Sequence, residues 1–183
     1  MIFHPTPLSG AYVVELEPHA DARGFFARSF CMEEFDQLGL NTAIAQQNIA
    51  YNHRAGTVRG MHYRIPHGGE SKVVRCTRGA IYDVIVDLRG GPDAAPRPFG
   101  VELDEENRLA LYVPEGFAHG YQSLTDDCEV TYLMGAPYAP GHERGVRYDD
   151  PDLGIAWPLD VTVVSEKDLR WPHLRERRDP SAG

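Results

Sequence analysis

Two histidines, a lysine and a tyrosine stand on β-type sequence with no cysteine or carboxylate cluster around them. His62 lies in Val58-Arg59-Gly60-Met61-His62-Tyr63, and His119 in Pro114-Glu115-Gly116-Phe117-Ala118-His119-Gly120. Lys72 opens Lys72-Val73-Val74, and Tyr132 closes Glu129-Val130-Thr131-Tyr132. A neutral imidazole has a pKa of about 6.5, so His62 suits the work of a general base. Removing a proton next to a ketone creates an enolate, whose oxygen needs a cation in a water-poor pocket. Lys72 can supply that cation if the fold brings it beside His62. Inversion at carbon needs a second group on the opposite face, and Tyr132 is the candidate acid. Asp168 is the candidate carboxylate that orients the imidazole and stabilises its charged form. Each residue also has a plainer reading: a core histidine, a core aromatic, a solvent-facing lysine, a helix-capping aspartate. The joint pattern favours proton abstraction next to a carbonyl on an anionic substrate.

A metal reading has less behind it. Gly56, six residues before His62, and Pro114-x-Gly116-x-x-His119, about fifty residues later, resemble the two-motif skeleton of the cupin barrels. Metal-binding cupins resemble His-x-His with a glutamate in the first motif. Here the position two after His62 is Arg64, a cation that repels a metal. Two histidines are fewer than the three or more protein ligands a stable site needs. No metal and no cofactor are expected.

The elements that must position these groups are strands. Ala80–Leu88 and Phe99–Leu103 are rich in β-branched and aromatic residues and flank the Gly/Pro-rich loop Gly90–Pro98. Further strands are expected at about Tyr12–Leu16, Thr42–Tyr51, Thr57–Tyr63, Lys72–Thr77, Leu109–Val113, Gly120–Leu124 and Glu129–Met134. Many short strands between turns predict an antiparallel sandwich or barrel. Helix is scarce: Met32–Leu38 predicts two turns ending at Gly39. Ser165-Glu166-Lys167-Asp168 spells a capping box and predicts a short helix after Ser165. Prolines 137, 140, 151, 158 and 172 predict an irregular last third that wraps the barrel.

The chain has 183 residues, 42% hydrophobic and 25% charged, which predicts one soluble domain spanning 1–183 with an irregular tail from about 170. No apolar run approaches the roughly 20 residues that span a bilayer, and the first residues lack a secretory pattern. Cys31, Cys76 and Cys128 read as buried, reduced thiols of a cytoplasmic protein. A net charge of −9 argues against nucleic acid as a partner but not against a small anion. The arginines at 170, 175, 177 and 178 read as a solvated end of the chain.

Eight segments then carry a resemblance: Asp21-x-Arg23-Gly24-Phe25-Phe26, Gln46-Gln47-Asn48, Val58–Tyr63, Lys72–Val74, Gly79–Val84, Val86–Arg89, Pro114–Gly120 and Asp150-Pro151. In this order and spacing, from about Ala11 to Leu169, they resemble the dTDP-4-dehydrorhamnose 3,5-epimerase family. The resemblance implies an all-β double-stranded β-helix of the cupin jelly-roll type with a few short helices, acting as a homodimer without metal. It implies inversion of carbons 3 and/or 5 of a dTDP-linked 4-keto-6-deoxy sugar by acid–base enolisation. His62 would be the base, Asp168 its partner, Lys72 the cation at the 4-oxygen and Tyr132 the acid. Arg23, Gln46, Gln47, Asn48, Arg59, His119, Glu143 and Lys167 would contact nucleotide and sugar, and Phe26 and Tyr138 would pack on thymine.

Three positions depart from the family pattern, which has glutamate at Arg28, glutamine at Arg64 and tryptophan at Tyr148. The rival readings are a single-centre epimerase or ketoisomerase of deoxysugar synthesis, a metal-dependent cupin, and a non-catalytic sugar-nucleotide binder. An N-terminal stretch with strand character is expected to add to a neighbouring sheet in the dimer.

Overall fold

The structure, a computed structural model, describes residues 1–65, 70–90 and 95–176. Strands β1 (Ile2–Pro5), β2 (Tyr12–Glu15), β3 (His19–Asp21) and β4 (Gly24–Phe26) precede helix α1 (Met32–Asp36). Then follow β5 (Gln46–Asn52), β6 (Thr57–Arg64), β7 (Lys72–Arg78), β8 (Ala80–Asp87) and β9 (Pro98–Asp104). Next come β10 (Ala110–Val113), β11 (Phe117–Ser123), β12 (Cys128–Met134), β13 (Glu143–Gly145), β14 (Val163–Val164) and helix α2 (Glu166–Leu169). One large sheet runs β1-β2-β10-β7-β12-β5; the other runs β13-β6-β11-β8-β9, with β14 beside β6. The fold is the expected all-β jelly roll.

Side chains from both inner faces build the central core: Val74, Cys76, Leu111 and Val130 from the first sheet, Ile81, Ile85, Leu103, Phe117 and Tyr121 from the second. Each fully buried aliphatic side chain contributes about 1.5–3 kcal/mol. The outer faces are covered too. Phe35 of α1 packs with Val14, Val73, Ala110 and Tyr112. On the opposite side Met61, Val84, Val86 and Ala118 pack with Val146 and Leu153 of the C-terminal third. Two covered faces explain why β8 is apolar at nearly every position instead of alternating.

Several boundaries differ from the sequence reading. β5 begins at Gln46, not Thr42. Upstream, Asn41 spends its side chain on Glu115 and on the Ala43 amide, and its own amide donates to the Tyr112 hydroxyl. Such local bonds compete with a sheet ladder. Helix α1 stops at Asp36, where Gly39 takes a positive φ of 67° and donates its amide to Asp36. The β3–β4 hairpin is an addition, its three-residue strands too short to register as a pattern. The last third does wrap the second sheet, but it also holds β13, β14 and α2.

The loop Gly90–Pro98 and the tail both lie partly outside the described residues. Within the described part, Arg147 donates its backbone amide to Pro172 and Leu174 joins the outer core, so residues 170–176 are tied down. Cys76 and Cys128 are buried and Cys31 half-buried, all three as free thiols.

Candidate active site

One strand irregularity decides how the site is assembled. Arg59 and His62 are three residues apart and would face opposite sides of a regular strand. In the β6–β11 pairing His62 lies opposite His119 and Arg59 opposite Tyr121, with a register shift between them. The extra residue on β6 turns both Arg59 and His62 to the inner face. Gly60 makes this possible: its φ is +128°, and a Cβ there would lie 2.6 Å from the Gly120 Cα. Only glycine tolerates that conformation and that closeness.

The first sheet supplies the facing wall. On β12, Tyr132 stands opposite Val74 of β7 and Asn48 of β5, and Met134 stands opposite Lys72 and Gln46. Lys72 and Tyr132 are therefore diagonal neighbours on adjacent strands. Between the sheets lies a cavity of about 330 Å³. His62 and His119 line it from one side, Lys72 and Tyr132 from the other, with Arg59, Gln46, Asn48, Tyr138 and Glu143 also on its wall.

Behind His62 sits Asp168. Its Oδ1 is 2.6 Å from His62 Nε2, and the carboxylate side chain is 5% exposed. A carboxylate only accepts, so Nε2 carries the proton and Nδ1 keeps the lone pair. The same carboxylate accepts from the Gly60 amide and from Trp171 Nε1, each at 3.3 Å. Burial pushes this acid up, but the hydrogen bond and charge of His62 and the Gly60 amide outweigh it and hold Asp168 below the ordinary carboxylate range. Helix α2 presents Asp168: Ser165 Oγ accepts the Asp168 amide at 3.0 Å, the cap expected from the sequence. Trp171 lies over Gly145, where a Cβ would meet its Nε1 at 2.4 Å, so the absent side chain admits the indole.

Burial in the cavity wall, then the neighbouring Tyr121 hydroxyl, raise the Tyr132 phenol well above its ordinary value of 10. It keeps its proton at neutral pH and can donate it. Asn52 ties this wall to the arginine: its Oδ1 accepts Arg59 Nε at 2.8 Å and the Tyr121 hydroxyl at 3.2 Å. Arg59 Nη2 also donates to the Tyr51 carbonyl, while Glu70 pairs with Lys72 and Arg64.

Not every expected residue meets here. Arg23, with its side chain 89% exposed, is held by Asp21 in the β3–β4 turn, outside the cavity wall. Phe26 is 75% exposed, not core, and lines a separate crevice with Arg28 and Glu34. Gln47 faces away from the cavity, because it alternates with Gln46 and Asn48 along β5. Lys167 is not on the cavity wall but bonds to Glu143, which is. Of the three departures, Arg28 pairs with Glu34 away from the cavity, while Arg64 is on the cavity wall; the Tyr148 carbonyl accepts Trp157.

Residues outside the expected set also shape the site. Asp83 is fully buried and lies 2.7 Å from His119 Nε2. A carboxylate inside the otherwise apolar Ile81–Val86 run was the clue. Asn52, Glu70 and His142 looked like ordinary polar positions. Among the described residues no group of three or more histidine, cysteine, aspartate or glutamate side chains could hold a metal ion. No helix among them is long and apolar enough to cross a membrane.

The family model described as dTDP-4-dehydrorhamnose 3,5-epimerase matches residues 5–176. The chain belongs to that family. It is 41% identical over 177 residues to the dTDP-4-dehydrorhamnose 3,5-epimerase of Methanothermobacter thermautotrophicus, covering 95% of each chain. The crystal structure of the Elizabethkingia anophelis 3,5-epimerase superposes with a TM-score of 0.90 at 34% identity, covering 97% of this chain and 98% of that one. A 3'-monoepimerase of Streptomyces bikiniensis, solved with dTDP-quinovose, superposes at 0.85 with 41% identity over 93% of this chain and 87% of that one. The protein is an epimerase of the isomerase class.

Proposed function

We propose that this epimerase acts on a dTDP-linked 4-keto-6-deoxyhexose, converting dTDP-4-dehydro-6-deoxyglucose to dTDP-4-dehydro-L-rhamnose by enolisation. The observation that carries the reading is the placement of His62 and Tyr132 on opposite walls of one cavity that Lys72 also lines. His62 Nδ1 takes the proton from the carbon beside the ketone, and Asp168 stabilises the imidazolium that forms. Lys72 meets the developing charge on the 4-oxygen. Tyr132 returns a proton from the other side, which inverts the carbon. A ketone at carbon 4 acidifies both neighbouring carbons, so the same groups can act at carbons 3 and 5.

Arg59, Gln46, Asn48, His119, Tyr138 and Glu143 line the rest of the cavity and bind sugar and nucleotide, with Arg59 on the diphosphate. Tyr138, 73% exposed at the mouth, offers a ring for thymine. Lys167 binds through Glu143 at the rim. Arg23 and Phe26 reach a nucleotide only from a second copy of the chain. Phe25 and Phe26, 47% and 75% exposed on their hairpin, and Ile49, 66% exposed on edge strand β5, support a homodimer that covers them.

The relatives include double and single epimerases at similar identity, so carbon 3 alone is the second reading. Incubation of the 4-keto sugar nucleotide in heavy water, followed by proton spectroscopy, tests both. Deuterium at carbons 3 and 5 with the L-configured product is expected. Exchange at carbon 3 only makes it a single-centre enzyme, and exchange at neither carbon ends the reading.

A further inference from the structure

A carboxylate stands on the wall of a cavity that must take an anion. Glu70 lines the cavity beside Arg64 and Lys72, and only 20% of its side chain is exposed. Left alone, it would repel a diphosphate sugar, so its presence needs a reason. Its two oxygens are both engaged: Oε1 lies 3.0 Å from Lys72 Nζ and Oε2 lies 3.7 Å from Arg64 Nη1. Arg64 is itself moored, donating from Nη1 to the Pro137 carbonyl at 3.2 Å. The backbone between the two partners is fixed as well, since the Ser71 carbonyl accepts the Gly135 amide at 2.8 Å. Glu70 and Lys72 are two apart in the chain, and both side chains face the cavity.

We infer that Glu70 is a positioning residue for Lys72, aiming its ammonium at the oxygen of the enolate. The inference rests on the enolisation reading above. Lysine carries a compact charge on a flexible four-carbon stem and does not hold one direction unaided. Its ammonium has three donors. With one committed to Glu70, the stem is pinned and the other donors point into the cavity. Glu70 thus converts a mobile cation into a fixed one, and Arg64 offsets the negative charge that this introduces.

The test uses Glu70→Gln and Glu70→Asp in the full chain, with kcat, KM, deuterium incorporation and thermal midpoint measured for each. Gln keeps the shape but loses the charge-assisted bond. kcat is expected to fall by roughly 10- to 30-fold, because a displaced donor loses part of an oxyanion contact worth about 10²–10³ in kcat. KM should move by less than about threefold, and incorporation should slow by the same factor as kcat. Asp keeps the charge on a shorter arm and should recover part of the loss. If Glu70→Gln leaves kcat unchanged and lowers KM, the carboxylate only opposes the substrate's charge, and the assignment fails. If the midpoint drops with kcat unchanged, its role is structural, and it fails again. A wild-type protein that exchanges no proton on the 4-keto sugar overturns the enolisation reading, and the Glu70 assignment with it. An active wild type matched by an equally active Glu70→Gln overturns the assignment alone.

Discussion

Replacing Asp168 by asparagine separates the chemistry of the histidine pair from its packing, since the two side chains have nearly the same size. In the native chain the carboxylate accepts the Nε2 proton of His62 at 2.6 Å and leaves Nδ1 as the basic atom. An amide can turn its NH2 toward Nε2, which moves the ring proton to Nδ1 and removes the base. It also removes the charge that stabilises the imidazolium. Two unit charges about 4 Å apart interact by about 4 kcal/mol at an effective dielectric of about 20. His62 is 30% exposed, so solvent screening reduces this toward about 2 kcal/mol. Each 1.36 kcal/mol is about tenfold in rate, which predicts a loss in kcat of roughly 30- to 1,000-fold. The assay is deuterium incorporation beside the ketone, with nucleotide binding measured in parallel to show an intact cavity. A variant that keeps more than about a third of the native rate would refute the argument that Asp168 sets the base.

The same substitution carries a stability signature. The folded chain holds Asp168 below its ordinary value of 3.8. A depressed carboxyl contributes stability that is complete above the unfolded value and is lost as pH falls through the folded one. Native protein should therefore exceed the asparagine variant in unfolding free energy at pH 7, and the gap should narrow below about pH 4. Denaturant titrations at the two pH values measure it; a gap independent of pH would contradict the sign.

Tyr132→Phe should still let His62 exchange a proton on its own face, so deuterium enters without inversion while product formation falls by about 10²–10⁴; inversion at the native rate would remove Tyr132 from the mechanism. Gly60→Ala should cost of order 3 kcal/mol or more, through its positive φ and its contact with Gly120, and should appear as a large drop in the thermal midpoint. Of the three thiols, Cys31 should react with a thiol reagent in the native protein. Cys76 and Cys128, 1% and 0% exposed, should react only after unfolding, counted by mass spectrometry.

Types of residue and their order along the chain were enough to foresee the sandwich and its strands from Thr57 to Met134, and to single out His62, Lys72 and Tyr132, which share one cavity, and Asp168, which bonds His62. Strand propensity and turn residues act locally, so the β-branched run in Ala80–Asp87 or a capping serine at 165 can be read without knowing what packs above them. The facing of each side chain across the fold is a different matter. Arg59 and His62 share a wall because β6 carries one extra residue, and that shift exists only in its pairing with β11. Asp83 and Asp168 sit 36 and 106 residues from the histidines they hold, distances that no local pattern spans. Arg23 and Phe26 stood in a matching motif, yet a hairpin carries them to the surface and away from the cavity. Local preference sets which strands form. Long-range pairing register and burial, which depend on both sheets at once, decide what those strands aim at one another.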